Sequence, residues 1–288
     1  MVQQTIALTG RGGRLGQFIA PHLTGLGYGL KNLRDHAPEG LACQDFTSFL
    51  SGCQGLVHAA FAHVPGKYRG GEGADPQGFW DLNHGATSRL LVQARAAGLR
   101  RVILFSSRAV YAPDQDLPAG AVAEDWPAIP DTLYGKLKLA SETLAREHSD
   151  AAMQVIALRP TGVYGGASSV NKWTPLIQAA LRGEGPRVNR TSTEVAGDTV
   201  AQAVALALDA RIAAPRGEVW NLSDVRINLG EVLALAGFAG LSLPKPEALR
   251  GPELSSGRLQ ALGLRFPGRA GLEQHVRALR AEIHDDTA

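Results

Sequence analysis

The chain is 288 residues long, with 44% apolar and 19% charged residues and a formal net charge of +2. This is the composition of a globular protein, with room for one large α/β domain or a domain and a smaller partner. A charge so near neutral, with no long Lys/Arg block, points to neither nucleic acid nor a membrane surface as a partner. No apolar run is long enough to span a bilayer, and Met1 to Gln4 lead straight into an apolar run, leaving no room for a signal peptide. Cys43 and Cys53 match neither a metal-ligand pair nor a CxxC motif. The expectation is a cytoplasmic protein with two free thiols and no metal.

Strand-like and helix-like stretches alternate from the start, which argues for a parallel sheet with helices on both faces. Residues 6–8 read as the first strand, ended by Thr9-Gly10-Arg11-Gly12-Gly13-Arg14-Leu15-Gly16. A strand that stops in a glycine turn and opens a helix offers backbone N–H groups and the positive end of the helix dipole to an anion. In that reading Gly10 makes the tight turn, Gly13 admits a pyrophosphate, and Gly16 lets the helix approach the strand. Leu15, Ile19, Leu23 and Leu26 form the apolar face of the first helix, and Pro21 within it predicts a kink or local break. Residues 30–34 read as the second strand, a short third ends near Cys43, and 55–60 form the fourth. A glycine-rich loop, 61–76, leads to a helix over about 77–97, stopped by Gly98.

Residues 101–106 read as a fifth strand, apolar enough to be buried on both faces. A proline-rich loop, 112–130, precedes Asp131-Thr132 and a helix to about His148, and residues 153–158 read as the sixth strand. Beyond Pro160 the alternation weakens: a loop over 165–169, helices near 174–181, 200–208, 229–236 and 275–283, and one more strand at 218–222.

Chemistry concentrates around the fifth strand. Ser107 closes that strand, and Tyr134 and Lys138 lie four apart on one face of the following helix. A lysine ammonium near a phenol favours the phenolate and lowers a pKa of about 10, so such a tyrosine can pass a proton near neutral pH. Ser107 can hydrogen-bond the same substrate oxygen.

Together these motifs resemble the extended short-chain dehydrogenase/reductase family, also called the NAD-dependent epimerase/dehydratase family, over nearly the whole chain. Thr9-Gly10-x-x-Gly13-x-x-Gly16 is similar to its cofactor loop, Asp45-Phe46 to its acidic-apolar pair at adenine, and Val57-His58-Ala59-Ala60 to the strand beside the adenosine. Asn83 matches a cofactor-contacting asparagine. Ser107 and the Tyr134/Lys138 pair match the catalytic Ser/Thr and YxxxK. Leu158 to Gly165, with Pro160 and Val163, resembles the segment lining the nicotinamide end, and Val195 to Asp198 and Trp220 to Ser223 look like later landmarks.

The resemblance implies a Rossmann-type doubly wound parallel sheet with a small C-terminal substrate-binding part. The dinucleotide-binding part would be 1–165, with 195–223 returning to it, and the substrate part 166–194 and 224–288. It further implies hydride transfer between a nicotinamide and a carbon bearing oxygen. Tyr134 would be the acid/base, Ser107 would orient the oxygen, Lys138 would tune Tyr134 and hold the ribose, and Asn83 would seat the cofactor. Arg34 falls in the slot at the end of the second strand that faces the adenosine ribose. With Arg11 it implies NADP(H), whereas Asp35 in that slot would imply NAD(H).

Departures from the family pattern narrow the reading. Arg108 and Ala109 stand where sugar-nucleotide 4,6-dehydratases carry an Asp-Glu pair, so water elimination is not expected. Thr191 occupies the slot of an arginine that forks a pyrophosphate, so Arg187 or Arg190 must substitute or the substrate lacks a nucleotide. Gly162 stands where many members have asparagine. Arg108 could bind a substrate anion or pair structurally, and His63, Lys67, Tyr68, Arg69 and Glu72 lie in a loop over the expected site. The leading expectation is an NAD(P)-dependent oxidoreductase acting on a small sugar-like carbonyl or hydroxyl, in a chain that could form a homodimer. The alternatives are a nucleotide-sugar C4 epimerase with the same Ser/Tyr/Lys set and a non-catalytic nicotinamide sensor.

Overall fold

A computed structural model describes residues 4–64, 67, 70–113, 120–214 and 216–285; Tyr68 and Arg69 of the loop singled out above lie outside them. In chain order the first elements are β1 (Thr5–Thr9), α1 (Gly16–Gly25), β2 (Gly29–Asn32), α2 (Thr47–Leu50), β3 (Gly55–His58), α3 (Pro76–Trp80), α4 (Ala86–Ala96), β4 (Arg101–Phe105), α5 (Leu133–Glu147) and β5 (Gln154–Pro160). There follow β6 (Gly162–Tyr164), α6 (Thr174–Leu181), β7 (Thr191–Ala196), α7 (Gly197–Leu208), β8 (Glu218–Leu222), β9 (Val225–Asn228), α8 (Leu229–Leu235), α9 (Gly257–Ala261) and α10 (Gly268–Asp285).

Six parallel strands form the central sheet in the order β2-β1-β3-β4-β5-β8. Alternate residues of its strands feed two cores, because successive side chains point to opposite faces. Ile6, Leu8, Val57, Ile103, Ile156 and Leu158 pack with α1 and α7; Ala7, Leu56, Val102, Leu104, Val155 and Ala157 pack with α2, α4 and α5. This is the doubly wound Rossmann-type sheet, and its strand order reverses between β1 and β3, where such sheets open a crevice. A second sheet, β6-β7-β9, shares a smaller core with α6, α8 and α10, built on Tyr164, Trp173, Ile177, Ile227 and Val276.

Several boundaries differ from the sequence reading. The second strand stops at Asn32, and Leu33–Asp35 turn into a 3-10 helix, so Arg34 lies beyond the strand tip. No third strand forms near Cys43; Gly40–Ala42 make a second 3-10 turn, led in by Pro38, which has no N–H for a ladder. Pro21 does not break α1: it faces solvent, where the carbonyl it leaves without a partner can be hydrated. Leu26 lies past the helix end and is exposed. The predicted helix at 77–97 is α3 and α4 joined by a π-helical turn, Asp81–Gly85. The strands β6, β7 and β9 and the helix α9 were not foreseen, since Thr191–Ala196 carries no clean apolar alternation. No helix among the described residues is long and apolar enough to cross a membrane.

Candidate active site

One cavity of about 1690 Å³ runs across the carboxyl ends of the parallel strands, from the glycine turn to the small sheet. Pockets for a single drug-sized ligand measure about 300–1,000 Å³, so this one has room for two. Gly10 through Leu15, Asn32 through Asp35, Ala59 and Ala60 line one end. Ser107, Arg108, Tyr134, Lys138, Pro160 and Val163 line the middle, and Lys172, Val188 and Arg190 through Thr193 the other end.

The glycine turn is held by close backbone contact. Gly10 has φ +74°, and a Cβ there would lie 2.6 Å from Ala59 C and Ala60 N, so only glycine lets β1 pass so near the end of β3. Gly16 lies under the turn, 2.2 Å from Gly10 O to an added Cβ, and packs the helix rather than facing the cavity. Thr9 is fully buried. Its hydroxyl accepts from Ala60 N at 3.0 Å and lies 2.7 Å from His58 Nδ1. Thr87 spends its one hydroxyl proton on Asn83 O at 2.8 Å, so it accepts from His58 Nε2 at 3.1 Å, and Nδ1 of the neutral ring accepts from Thr9. Burial, aided by the Lys138 ammonium, pulls the His58 pKa to about 3, so the ring stays neutral.

Asn83, expected to touch the cofactor, does not line the large cavity. Its amide oxygen accepts from Ala62 N at 2.8 Å, and its nitrogen donates to Ala62 O and Phe79 O, which consumes the group in clamping the loop after β3. Asp45 and Phe46 also stand apart from the cavity. The Asp45 carboxylate accepts from Thr47 N at 2.8 Å, and Phe46 is fully buried in the core. Arg34 does line the cavity, its guanidinium donating to Pro38 O at 3.1 Å. Arg11 donates to Asn32 Oδ1 at 3.3 Å, and Asn32 donates onward to Asp35 Oδ2 at 3.0 Å.

At the centre, α5 begins at an N-cap, Thr132 Oγ1 accepting from Gly135 N at 3.0 Å, so Tyr134 enters the cavity from the first turn. Lys138, one turn on, is buried, donates to Phe105 O at 2.9 Å and lies 4.2 Å from the Phe61 ring centroid. Burial lowers its pKa to about 8. The Phe61 ring meets Tyr134 edge to face at 5.4 Å and stacks on His63, so it walls the centre of the cavity; sequence reasoning missed it, since it follows the strand motif as an ordinary loop residue. Ser107 Oγ accepts from Ala109 N at 3.1 Å, which fixes its position at the end of β4. Behind these groups Arg159 forks Glu142 through Nε and Nη2, each at 2.7 Å, and Ser106 donates to the same carboxylate. Arg108 donates to Arg250 O at 2.6 Å, tying the centre to the segment that roofs the far end.

The model of the family described as NAD dependent epimerase/dehydratase matches residues 6–223. The chain belongs to that family. Among curated proteins it is 32% identical over 122 residues to a UDP-glucose 4-epimerase of Streptomyces lividans, an alignment spanning 41% of this chain and 35% of that protein. It is 30% identical over 140 residues to UDP-glucose 4-epimerase 4 of Oryza sativa subsp. japonica, spanning 44% of this chain and 37% of the relative. The matched segments thus cover little more than a third of these curated relatives. Solved members of the same fold include MoeE5 in complex with UDP-glucose and NAD, at 24% identity and TM-score 0.77 over 99% of this chain and 100% of that one. A UDP-glucuronic acid 4-epimerase from Bacillus cereus, in complex with UDP-glucuronic acid and NAD, is 19% identical with TM-score 0.76 over 98% and 99% of the two chains.

Proposed function

We propose that this family member inverts a carbinol centre of a nucleotide-sugar substrate by reversible oxidation, as a C4 epimerase. The observation that carries the reading is the single continuous cavity, with the glycine turn at one end, Ser107, Tyr134 and Lys138 at its centre, and Lys172, Arg190 and Thr191 to Thr193 beyond. The curated UDP-glucose 4-epimerases it resembles support the epimerase over a general oxidoreductase.

The glycine turn fits a dinucleotide: at Gly10 the backbone approaches closely enough that any side chain is excluded, and Arg11 to Leu15 face the cavity. A nicotinamide dinucleotide held by that turn would supply a site for hydride acceptance and return. Tyr134 takes the hydroxyl proton as the carbonyl forms and gives one back, Ser107 holds that oxygen, and the Lys138 charge favours the phenolate. The Thr9–His58–Thr87 chain and Asn83 keep the loop bearing Phe61 fixed, and Phe61 excludes water from the reacting side.

A second reading, an NADP(H)-dependent reductase of a sugar-like carbonyl, draws support from one observation. Arg11 and Arg34 both line the adenosine end, where two cations suit a 2′-phosphate, while Asn32 engages Asp35.

One experiment separates the two. One portion of the purified protein is denatured and its released nucleotide identified, and a second, native portion is assayed with UDP-glucose. An epimerase retains stoichiometric nicotinamide and forms UDP-galactose with none consumed. Release of the cofactor, tighter NADP(H) than NAD(H) binding that Arg34→Ala abolishes, and consumption of one NADPH per product would replace it with the reductase.

A further inference from the structure

The far wall of the cavity holds a charged group that the reaction does not use. Lys172 and Glu194 form an ion pair, and Ser192 Oγ donates to the other Glu194 oxygen at 2.7 Å. Glu194 is 4% exposed at its side chain and Lys172 23% exposed, and Lys172, Ser192 and Gly162 line the cavity. The arrangement follows from register. Gly162 of β6 pairs directly with Glu194 of β7, so the two side-chain positions share a face. The glutamate carboxylate occupies the space above the glycine, where an added Cβ would lie 2.4 Å from Oε2.

Burying an ion pair costs several kcal/mol in desolvation per ion, which attraction only partly offsets, so such a pair is weak evidence of a stability role. Its chemistry suits a ligand instead. A hydroxyl both donates and accepts, and an ammonium beside a carboxylate answers both roles at once. The pair is neutral as a unit, so it favours an uncharged polyhydroxyl ring over a phosphate or carboxylate.

We propose that Lys172 and Glu194, with Ser192, form the sugar-reading element of the cavity, recognising ring hydroxyls in place of a side chain at Gly162. This rests on the nucleotide-sugar reading above, and its test keeps the two separable. The probes are UDP and UDP-glucose, titrated by calorimetry into the cofactor-loaded protein. Lys172→Met and Glu194→Gln should each weaken UDP-glucose by about 10- to 100-fold, the worth of a charged hydrogen bond, and leave UDP within about twofold. Gly162→Ala, which removes no polar group but displaces the Glu194 carboxylate, should reproduce the effect. If Lys172→Met fails to fold, Glu194→Gln and Gly162→Ala decide alone. Equal losses for UDP and UDP-glucose, or no loss for either, would overturn the proposal. If the wild type binds neither probe, the nucleotide-sugar reading falls. The pair is then judged by free hexoses and polyols that reduce the bound cofactor, for which the same variants should raise KM by about tenfold or more. An unchanged KM, or no active member of that panel, would overturn the proposal as well.

Discussion

The two ends of the cavity are made of different materials. At the glycine turn the wall is mostly main chain: Gly10 against Ala59 and Ala60, anchored by Thr9 and His58 on strands that are buried on both faces. At the far end it is mostly side chain: Lys172 on Glu194, Ser192 and Arg190, roofed by an irregular segment joined through isolated bridges such as Asn189 to Pro246. Main-chain geometry serves any ligand with the same backbone-binding group, whereas a side-chain wall can change its ligand by one substitution. Under the proposed function, that contrast puts generic chemistry at one end and specificity at the other.

The largest expected effect falls at the junction. Tyr134→Phe keeps the ring that packs on Phe61 but loses the proton, so turnover should drop by about 10²- to 10⁴-fold with bound cofactor unchanged. Quenched turnover assays and released-nucleotide analysis check both; more than about a tenth of wild-type activity would remove Tyr134 from the acid/base role. Next in size is Glu142→Gln, which unpairs the buried Arg159 guanidinium and should destabilise the protein by about 3–5 kcal/mol in denaturant unfolding. A smaller loss would show that the centre of the cavity does not depend on this pair.

The sequence made the two ends unequally legible. The turn at Thr9 to Gly16 could be read because Gly10 and Gly16 answer backbone demands, and Thr132 announced the start of α5. The far wall could not. Glu194 matters through its cross-strand position opposite Gly162, and nothing along Thr191–Ala196 marks it as a strand. Asn83 shows the converse: the motif position was recognisable, yet its amide is spent on Ala62, a contact 21 residues away that local pattern does not show. Near Cys43 the apolar residues suggest a strand, but Pro38 offers no N–H to a ladder and Gly40–Ala42 turn instead.

A third effect concerns acid. The His58 pKa is depressed to about 3 in the folded chain against about 6.5 unfolded, so the unfolded state binds the extra proton between those values. Stability from this residue is complete above about pH 6.5 and is lost as pH falls toward 3, by at most about 1.4 kcal/mol per pH unit. Melting curves over that range should show a shallower slope in His58→Gln than in wild type; identical slopes would place the acid sensitivity elsewhere. The smallest effect tests the soft end. Arg108→Ala frees the carbonyls of Arg250 and Pro252, and should lower Tm by a few degrees and raise KM about two- to fivefold with kcat little changed. A KM rise without any change in Tm would make Arg108 a substrate contact instead.

The π-helical turn at Asp81–Gly85 sets a phase for the chain around it. A π turn carries an extra residue relative to an α turn, and Asn83, which clamps Ala62, lies inside it. Removing one residue from 81–85 would let α3 and α4 merge into an uninterrupted α-helix with their faces nearly in phase, because the surplus residue is the one lost, while the residues inside the turn shift by one position. The loop carrying Phe61 would then lose its clamp while the sheet stayed whole. This one-residue surplus is therefore a place where a length change too small to disturb the fold would unseat the wall beside Tyr134.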